Sequence, residues 1–290
     1  IGGYIAERQG EPKAIADAIR DHYKPVGQSD EVPTAPVTVA VALADRFDTL
    51  LSFFEIGELP TGSKDPFALR RSALSIIRLL LTNKIRLSTD AIIEEWLGQS
   101  DPQKPLSSED KQRRRLLVQV PDFLAERVEV QIREHGIRHD FVRASVRWNA
   151  RTDTRIDRIW VRAAALSALV ETEVGRNLFT AYKRAANILK KEKWTGEAAS
   201  APAREEVEPA EQKLISALDD AEPRAIAAVE AEDFAGAMAA LASLRDPIDS
   251  FFDHVTVNVE DPGTRNRRLD LLARFRDAVH RVADFSRIEG

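Results

Sequence analysis

The amino-acid sequence predicts an all-α protein. Apolar residues recur at helical spacing along most of the 290 residues, and strand-like alternation is scarce. Pro, Gly, Asp, Ser and Thr fall between the periodic stretches, where helices start and stop.

Residues 11–23, EPKAIADAIRDHY, read as a helix with Pro12 near its start, where a missing N–H costs nothing. Ile15, Ala18, Ile19 and Tyr23 share its expected buried face. A longer, more apolar helix covers 36–55, with Val37, Ala40, Val41, Ala44, Phe47, Leu51 and Phe54 as its expected core side. In PTGSKDPFALRRSAL (60–74), Pro60 and Gly62 turn the chain, Asp65 is suited to N-cap the next helix, and Pro66 to its first position. That helix runs to about Leu81 and carries Phe67, Leu69, Leu74, Ile77 and Leu80 inside. A break at 83–88 precedes a short helix through Trp96 that stops at Gly98, with Ser88 or Thr89 as cap.

Residues 98–110 read as a linker. KQRRRLLVQ, then 121–136 with Gly136 as C-cap, then 138–148 follow as separate helical segments, and 153–170 and 172–193 complete a helical middle section. TGEAASAPAREEVEPA (195–210) is rich in Ala, Glu and Pro and poor in large apolar residues, the composition of a flexible insertion. Helices resume near 211, continue through 223–230, 233–244 and 247–254, and close with one from about 264 to 283.

With 43% hydrophobic residues, 31% charged and a net charge of −5, the whole chain is not a polycation. Any nucleic-acid contact must come from local basic patches. Charge is uneven: between Lys111 and Arg162 there are thirteen Lys and Arg against seven Asp and Glu, acids dominate 197–261, and 265–287 turns basic again. This asymmetry suggests one face for a polyanion. The absence of cysteine excludes disulfides and thiolate metal sites. No apolar run approaches the length of a bilayer span, so no membrane partner is expected. The chain opens IGGYIAERQG, and Met238 is its only methionine; it reads as a piece of a longer protein.

Candidate chemistry is sparse. Gly62-Ser63-Lys64 has the wrong order for a P-loop, but a helix start flanked by Lys64, Arg70 and Arg71 suits a phosphate. Capping plus an Arg–Asp salt bridge is the preferred reading of that spacing. Asp45 and Asp48 share a helical face and could serve a metal, yet His22, His135, His139, His254 and His280 include no close His-Asp pair except His139-Asp140. Arg143, Arg147, Arg151, Arg155, Arg158 and Arg162 form a basic stripe if one helix carries them, although 149–153 looks like a break with Asp153 as a cap. In AYKRAANILKK (181–191), Lys183, Arg184 and Asn187 cluster within about a turn, while Ala181, Ala185, Ile188 and Leu189 face a core. In DPGTRNRRLDLLARFR (261–276), Arg265, Asn266, Arg267 and Arg268 crowd a helix N-terminus, where cations are unfavourable. An anionic partner explains them better than stability does; pairing with Glu260 and Asp261 is the alternative. No Ser-His-Asp pattern, HExxH or GxGxxG is present, so no catalytic residues are expected.

Several segments together resemble the beta subunit of the bacterial heterotetrameric glycyl-tRNA synthetase. They are IGELPTGSKDPFALRRSALSIIRLL, the VALADRFDTLLSFFEIG before it, and YIAERQGEPKAIADAIRDHYKP at the start. RDPIDSFFDHVTVNVED with TRNRRLDLLARFRDAVHRVADFSRI is similar to that family's DALR-type anticodon-binding domain, and AYKRAANILKK to its beginning. The resemblance implies an HD-like helical region over 1–100, a connecting helical body over 101–172 and an anticodon-binding helical bundle over 173–290.

It further implies a division of labour. The alpha subunit forms glycyl-adenylate and transfers glycine, using ATP and Mg, while the beta subunit binds glycine tRNA and helps hold a cytoplasmic heterotetramer of two alpha and two beta subunits. Asp45 or Asp48 would match the last aspartate of an HD metal site whose other ligands lie upstream of residue 1, so neither metal nor other cofactor is expected in this chain. Basic positions of the DALR-type helices map onto Lys183, Arg184, Asn187, Arg265, Arg267 and Arg268, and Lys64, Arg70 and Arg71 are further expected RNA contacts. Phe251, Phe252 and Phe285 are expected in the core. The alternatives are an HD-type metal phosphohydrolase fragment, resting on Asp45 and Asp48, and a non-catalytic helical interaction scaffold.

Overall fold

The computed structural model describes residues 1–27, 29–98, 106–133, 135–148, 151–195 and 206–289. Its element order is α1 (Gly2–Arg8), α2 (Lys13–Asp21), α3 (Pro36–Ile56), α4 (Leu69–Thr82), α5 (Thr89–Gly98), α6 (Leu106–Arg133), α7 (His139–Val146), β1 (Arg147–Trp148), β2 (Arg151–Thr152), α8 (Ile156–Glu171), α9 (Glu173–Lys191), α10 (Pro209–Glu230), α11 (Phe234–Ala242), α12 (Arg245–His254) and α13 (Pro262–His280). The all-α expectation holds, since β1 and β2 are two residues each.

The chain forms two compact units: Ile1–Gly136 with Thr152–Trp160, and Ile137–Arg151 with Val161–Gly290. The stretch 101–172, expected as a connecting body, is divided between them because its apolar residues serve two cores. Leu116, Val120, Leu124, Val128 and Ile132 are buried in the first unit, whereas Phe141, Ala144 and Leu166 join the core of the second.

In the first unit, α3 packs on α2 and α4, and α6 on α4 and α5. Leu50, Leu51 and Phe54 of α3 and Leu69, Ile76 and Ile77 of α4 are buried, and the two helices pack on each other. The expected faces of α2 and of the first half of α3 need correction. Ile15, Ile19, Tyr23, Val37 and Val41 are exposed; Ala18 is buried as expected, and Ala16, Val39, Ala42 and Leu43 are buried as well. These helices have apolar residues on more than one side, so periodicity alone did not select the face that packs. Pro121 was expected to start a new segment, yet α6 runs through it. The buried residues at 116, 120, 124, 128 and 132 form one stripe whose burial offsets the roughly 3 kcal/mol cost of an internal proline.

The turn at 60–68 also departs from expectation. α4 starts at Leu69, after Ala68 in the left-handed region (φ 54°), so Pro66 is not its first residue. Asp65 caps from further back: its carboxylate accepts from Leu69 N at 2.8 Å and Arg70 N at 3.0 Å. Thr61 and Lys64 close the turn by paired backbone hydrogen bonds of 3.0 and 2.8 Å, and Phe67 stacks on Phe53.

The second unit is a bundle of α9–α13 with α7, part of α8 and a short 3₁₀ turn, Phe285–Arg287. α9 packs on α13 and α12, and α10 on α11, α12 and α13. Leu178, Leu214, Leu241, Phe251, Leu272 and Phe275 lie in one continuous core. Phe251 and Phe285 are buried as expected, and Phe252 packs against the same cluster. Gly175 opens α9 where the chain leaves α8: a Cβ there would stand 2.0 Å from the Leu169 carbonyl oxygen, so no larger residue fits. Tyr182 and His280 meet through a 2.6 Å hydrogen bond between Oη and Nε2. Burial pushes the Tyr182 phenol up to about 12 and His280 below its ordinary value, so near neutral pH the phenol donates to a neutral imidazole.

Two predictions follow from these local contacts. Asp65→Ala is expected to lower stability by about 1 kcal/mol, read as a lower urea midpoint, because two helix-start N–H groups lose their acceptor. The depressed His280 value means that the unfolded chain takes up a proton first as pH falls. The stability present above about pH 6.5 is therefore lost below it. A thermal midpoint that drops from about pH 7.5 to about 5.5, and drops less in His280→Gln, is the expected result.

Candidate nucleic-acid interface

α9 is where the second unit presents uncompensated positive charge. Thr172 caps it, its hydroxyl accepting from Gly175 N at 3.0 Å. Leu178, Ala181, Tyr182, Ala185 and Leu189 turn inward. Lys183, Arg184, Asn187, Lys190 and Lys191 recur at three- to four-residue spacing on the other side, exposed apart from the half-buried Lys183. The Lys183 ammonium lies 4.4 Å from the Phe179 ring centroid and the Arg184 guanidinium 4.2 Å from that of Phe252, which brace the stems without cancelling the charge. Lys190 and Lys191 sit in the last turn, where the helix dipole favours cations. Lys193 follows in the left-handed region, and Trp194 N closes the helix on the Leu189 carbonyl at 2.9 Å. No carboxylate of the described residues forms an ion pair with Lys183, Arg184, Lys190, Lys191 or Lys193.

The start of α13 is different. Asp261 caps it, accepting from Thr264 N at 2.8 Å. The anionic partners that its arginines require are internal. Arg265 pairs with Glu192; Arg267 Nε reaches Glu211 Oε2 at 2.9 Å. Arg268 donates to Glu211 Oε1 and Glu208 Oε1, each at 2.7 Å, and to the Thr256 carbonyl at 2.8 Å. Glu211 is 0% exposed and Arg268 1%, so the expectation of Arg268 as an RNA contact is corrected: its guanidinium is enclosed by protein. Arg265 and Arg267 stay partly exposed but are already neutralised. Neither Glu260 nor Asp261 is the partner in these pairs.

In the first unit, Lys64 and Arg71 are exposed, and Arg70 donates to the Gly62 carbonyl at 2.7 Å instead of pairing with an aspartate. The Asp65 carboxylate occupies the helix-start N–H groups that a phosphate would need. The arginine series is not one stripe. α7 ends at Val146 and the chain passes through β1 and β2 before α8. Arg155 pairs with Asp157 and Arg158 with Asp153, while Arg162, 0% exposed, donates to the Ser145 carbonyl at 2.7 Å. Asp153 also accepts from Arg155 N at 3.0 Å, in keeping with a cap before α8.

Asp45 and Asp48 do not converge on a metal centre. Asp48 accepts from Trp96 Nε1 at 3.0 Å, Asp45 lies 3.8 Å from Arg46, and the described residues hold no cluster of three potential metal ligands. His22, His135 and His254 each bond the carbonyl four residues earlier through Nδ1, and Asp140 pairs with Arg138.

Residues 1–147 match the family model described as glycyl-tRNA synthetase beta subunit. The chain belongs to that family. Residues 178–285 match the DALR anticodon binding domain, a span that starts inside α9 and ends at the 3₁₀ turn. Glycine–tRNA ligase beta subunits of Phenylobacterium zucineum, Rhodospirillum centenum and Paracoccus denitrificans are 46%, 45% and 45% identical over 100% of this chain. The chain spans about 40% of the length of these relatives. The α9 cations thus lie within the segment similar to an anticodon-binding domain.

Of the expected contacts, the fold brings Lys183, Arg184 and Asn187 onto one face and takes Arg268 inside. The expectation missed Lys190, Lys191 and Lys193. Their signal was present in the spacing, since 183, 187, 190 and 191 follow one helical side. Removing Glu211 would leave the buried Arg268 with only the partly exposed Glu208 as a carboxylate partner. Glu211→Ala is expected to destabilise the second unit by about 3–5 kcal/mol, checked by chemical denaturation followed by a probe in that unit.

Proposed function

We propose that this chain is the tRNA-holding portion of a glycine–tRNA ligase beta subunit. The second unit grips the anticodon arm of glycine tRNA, with Lys183, Arg184, Asn187, Lys190 and Lys191 against the sugar-phosphate backbone. Lys64 and Arg71 supply a secondary contact from the first unit. Glycine activation with ATP and Mg, and glycyl transfer, belong to a separate alpha subunit in a cytoplasmic assembly of two alpha and two beta chains. The supporting observation is a row of cations without carboxylate partners among the described residues, inside the segment similar to a DALR anticodon binding domain.

The α9 side chains suit phosphates. The cations among them are long and, apart from the half-buried Lys183, exposed, and have no carboxylate competing for them among the described residues. Arg265, Arg267, Arg268 and Arg274 of the same unit are taken up by internal carboxylates, and a net charge of −5 does not oppose a local grip.

Binding of glycine tRNA over a salt series tests the reading. The logarithm of affinity should fall linearly with the logarithm of salt. Replacing Lys183, Arg184, Lys190 and Lys191 by Gln should make that line shallower by about 1 for each cation in phosphate contact. Undiminished affinity and slope in the substituted chain would contradict it.

A further inference from the structure

The segment that follows α13 crosses the bundle and lies along α7. Phe285 and Ile288 anchor it in the core of the second unit. Asp284 sets its turn: the carboxylate accepts from Ser286 N at 3.2 Å and from Arg287 Nε at 3.0 Å.

Both ends of the segment bond α7. Asp284 N donates to the Ala144 carbonyl at 2.9 Å, in the last turn of that helix. Glu289 N donates to Asp140 Oδ2 at 2.9 Å, in its first turn. Asp140 is fully buried, and Arg138 donates to its two oxygens at 3.1 and 2.5 Å. The same guanidinium donates to the Glu289 carbonyl. The Glu289 carboxylate stands 3.4 Å from His139 Nε2 and 3.8 Å from Arg143 Nη1. Arg138, Asp140 and Glu289 thus close one polar network across about half of the chain's length.

α7 depends on such a hold. A helix of eight residues is too short to persist by its own hydrogen bonds. A buried carboxylate such as Asp140 is costly unless its donors stay in place. Among the other elements, α7 packs chiefly on the 3₁₀ turn and β1. α8 pins only its far end, where Arg162 donates to the Ser145 carbonyl. Short elements with few packed neighbours open at a lower free energy than the bundle around them.

The spans of similarity place α7 at a boundary. It lies within residues 1–147, which match the glycyl-tRNA synthetase beta subunit model, and yet it belongs to the second unit. The DALR match covers 178–285, so Ile288 and Glu289 lie outside both spans.

We propose that residues 284–289 are a clasp that locks α7 onto the helical bundle and opens as a local unit while α10 to α13 stay folded. Closed, the clasp makes α7 part of the bundle. Open, it frees α7 up to the Arg162 pin and returns Asp140 to water. The inference is independent of the tRNA-holding role.

Amide hydrogen exchange, resolved by peptide, tests it on the full chain, Ile288→Ala and Asp140→Asn. The first substitution removes the apolar anchor, the second the charge that gathers Arg138 and Glu289 N. In the unsubstituted chain the α7 amides should exchange faster than those of α11. Each substitution should speed α7 by about tenfold or more and leave α11 within about twofold. Equal acceleration of α7 and α11, or none at α7, would overturn the clasp. Failure of Ile288→Ala to fold would overturn it too, because the segment would then support the whole unit and not α7 alone.

Discussion

Glu211 is the contact on which the second unit turns. It lies at the start of α10 and takes Arg267 and Arg268 from the start of α13, so one buried carboxylate joins two helix N-termini. Two arginines at a helix N-terminus repel its dipole, and an enclosed glutamate repels the interior; each makes the other tolerable. Glu208 and the Thr256 carbonyl satisfy the remaining Arg268 donors, so the network is satisfied and not merely paired. With α10 and α13 so joined, α9 packs on α13 with one side inward and the other to solvent.

That arrangement sorts the chain's cations into two sets. Arginines beside carboxylates of the same chain hold the fold: Arg158 with Asp153, Arg274 with Glu222, Arg268 with Glu211. The planar fork of arginine suits such two-point contacts. Of the described cations without a carboxylate partner, Lys183, Arg184, Lys190 and Lys191 share one helix, α9. A chain of net charge −5 thereby keeps one positive surface, which is what local recognition of a polyanion needs.

The helical class, most element positions and the family resemblance were legible in the sequence, because helical periodicity and the PTGSKDPFALRR segment are strong local signals. The misreadings share a cause: they depended on partners distant in the chain. Pro121 looked like a start until the stripe from Leu116 to Ile132 was seen to pack as a unit. Arg268 looked like a ligand for an outside anion because its carboxylate is 57 residues away, in α10. The outer face of α9 was half legible: Lys183, Arg184 and Asn187 stood out, while Lys190 and Lys191 were not singled out. Nothing local marks the clasp, since Asp140 and Glu289 are 149 residues apart and meet only in the folded second unit. Residues 99–105 of the expected linker and 196–205 of the expected insertion lie outside the described residues.

The most direct measurement of the central claim is lysine reactivity with and without glycine tRNA, residue by residue, by mass spectrometry. The account predicts that Lys183, Lys190, Lys191 and Lys193 become protected by the RNA while Lys213 on α10, taken as the reference, keeps its reactivity. Equal labelling of those four lysines in the presence and absence of bound tRNA would contradict it.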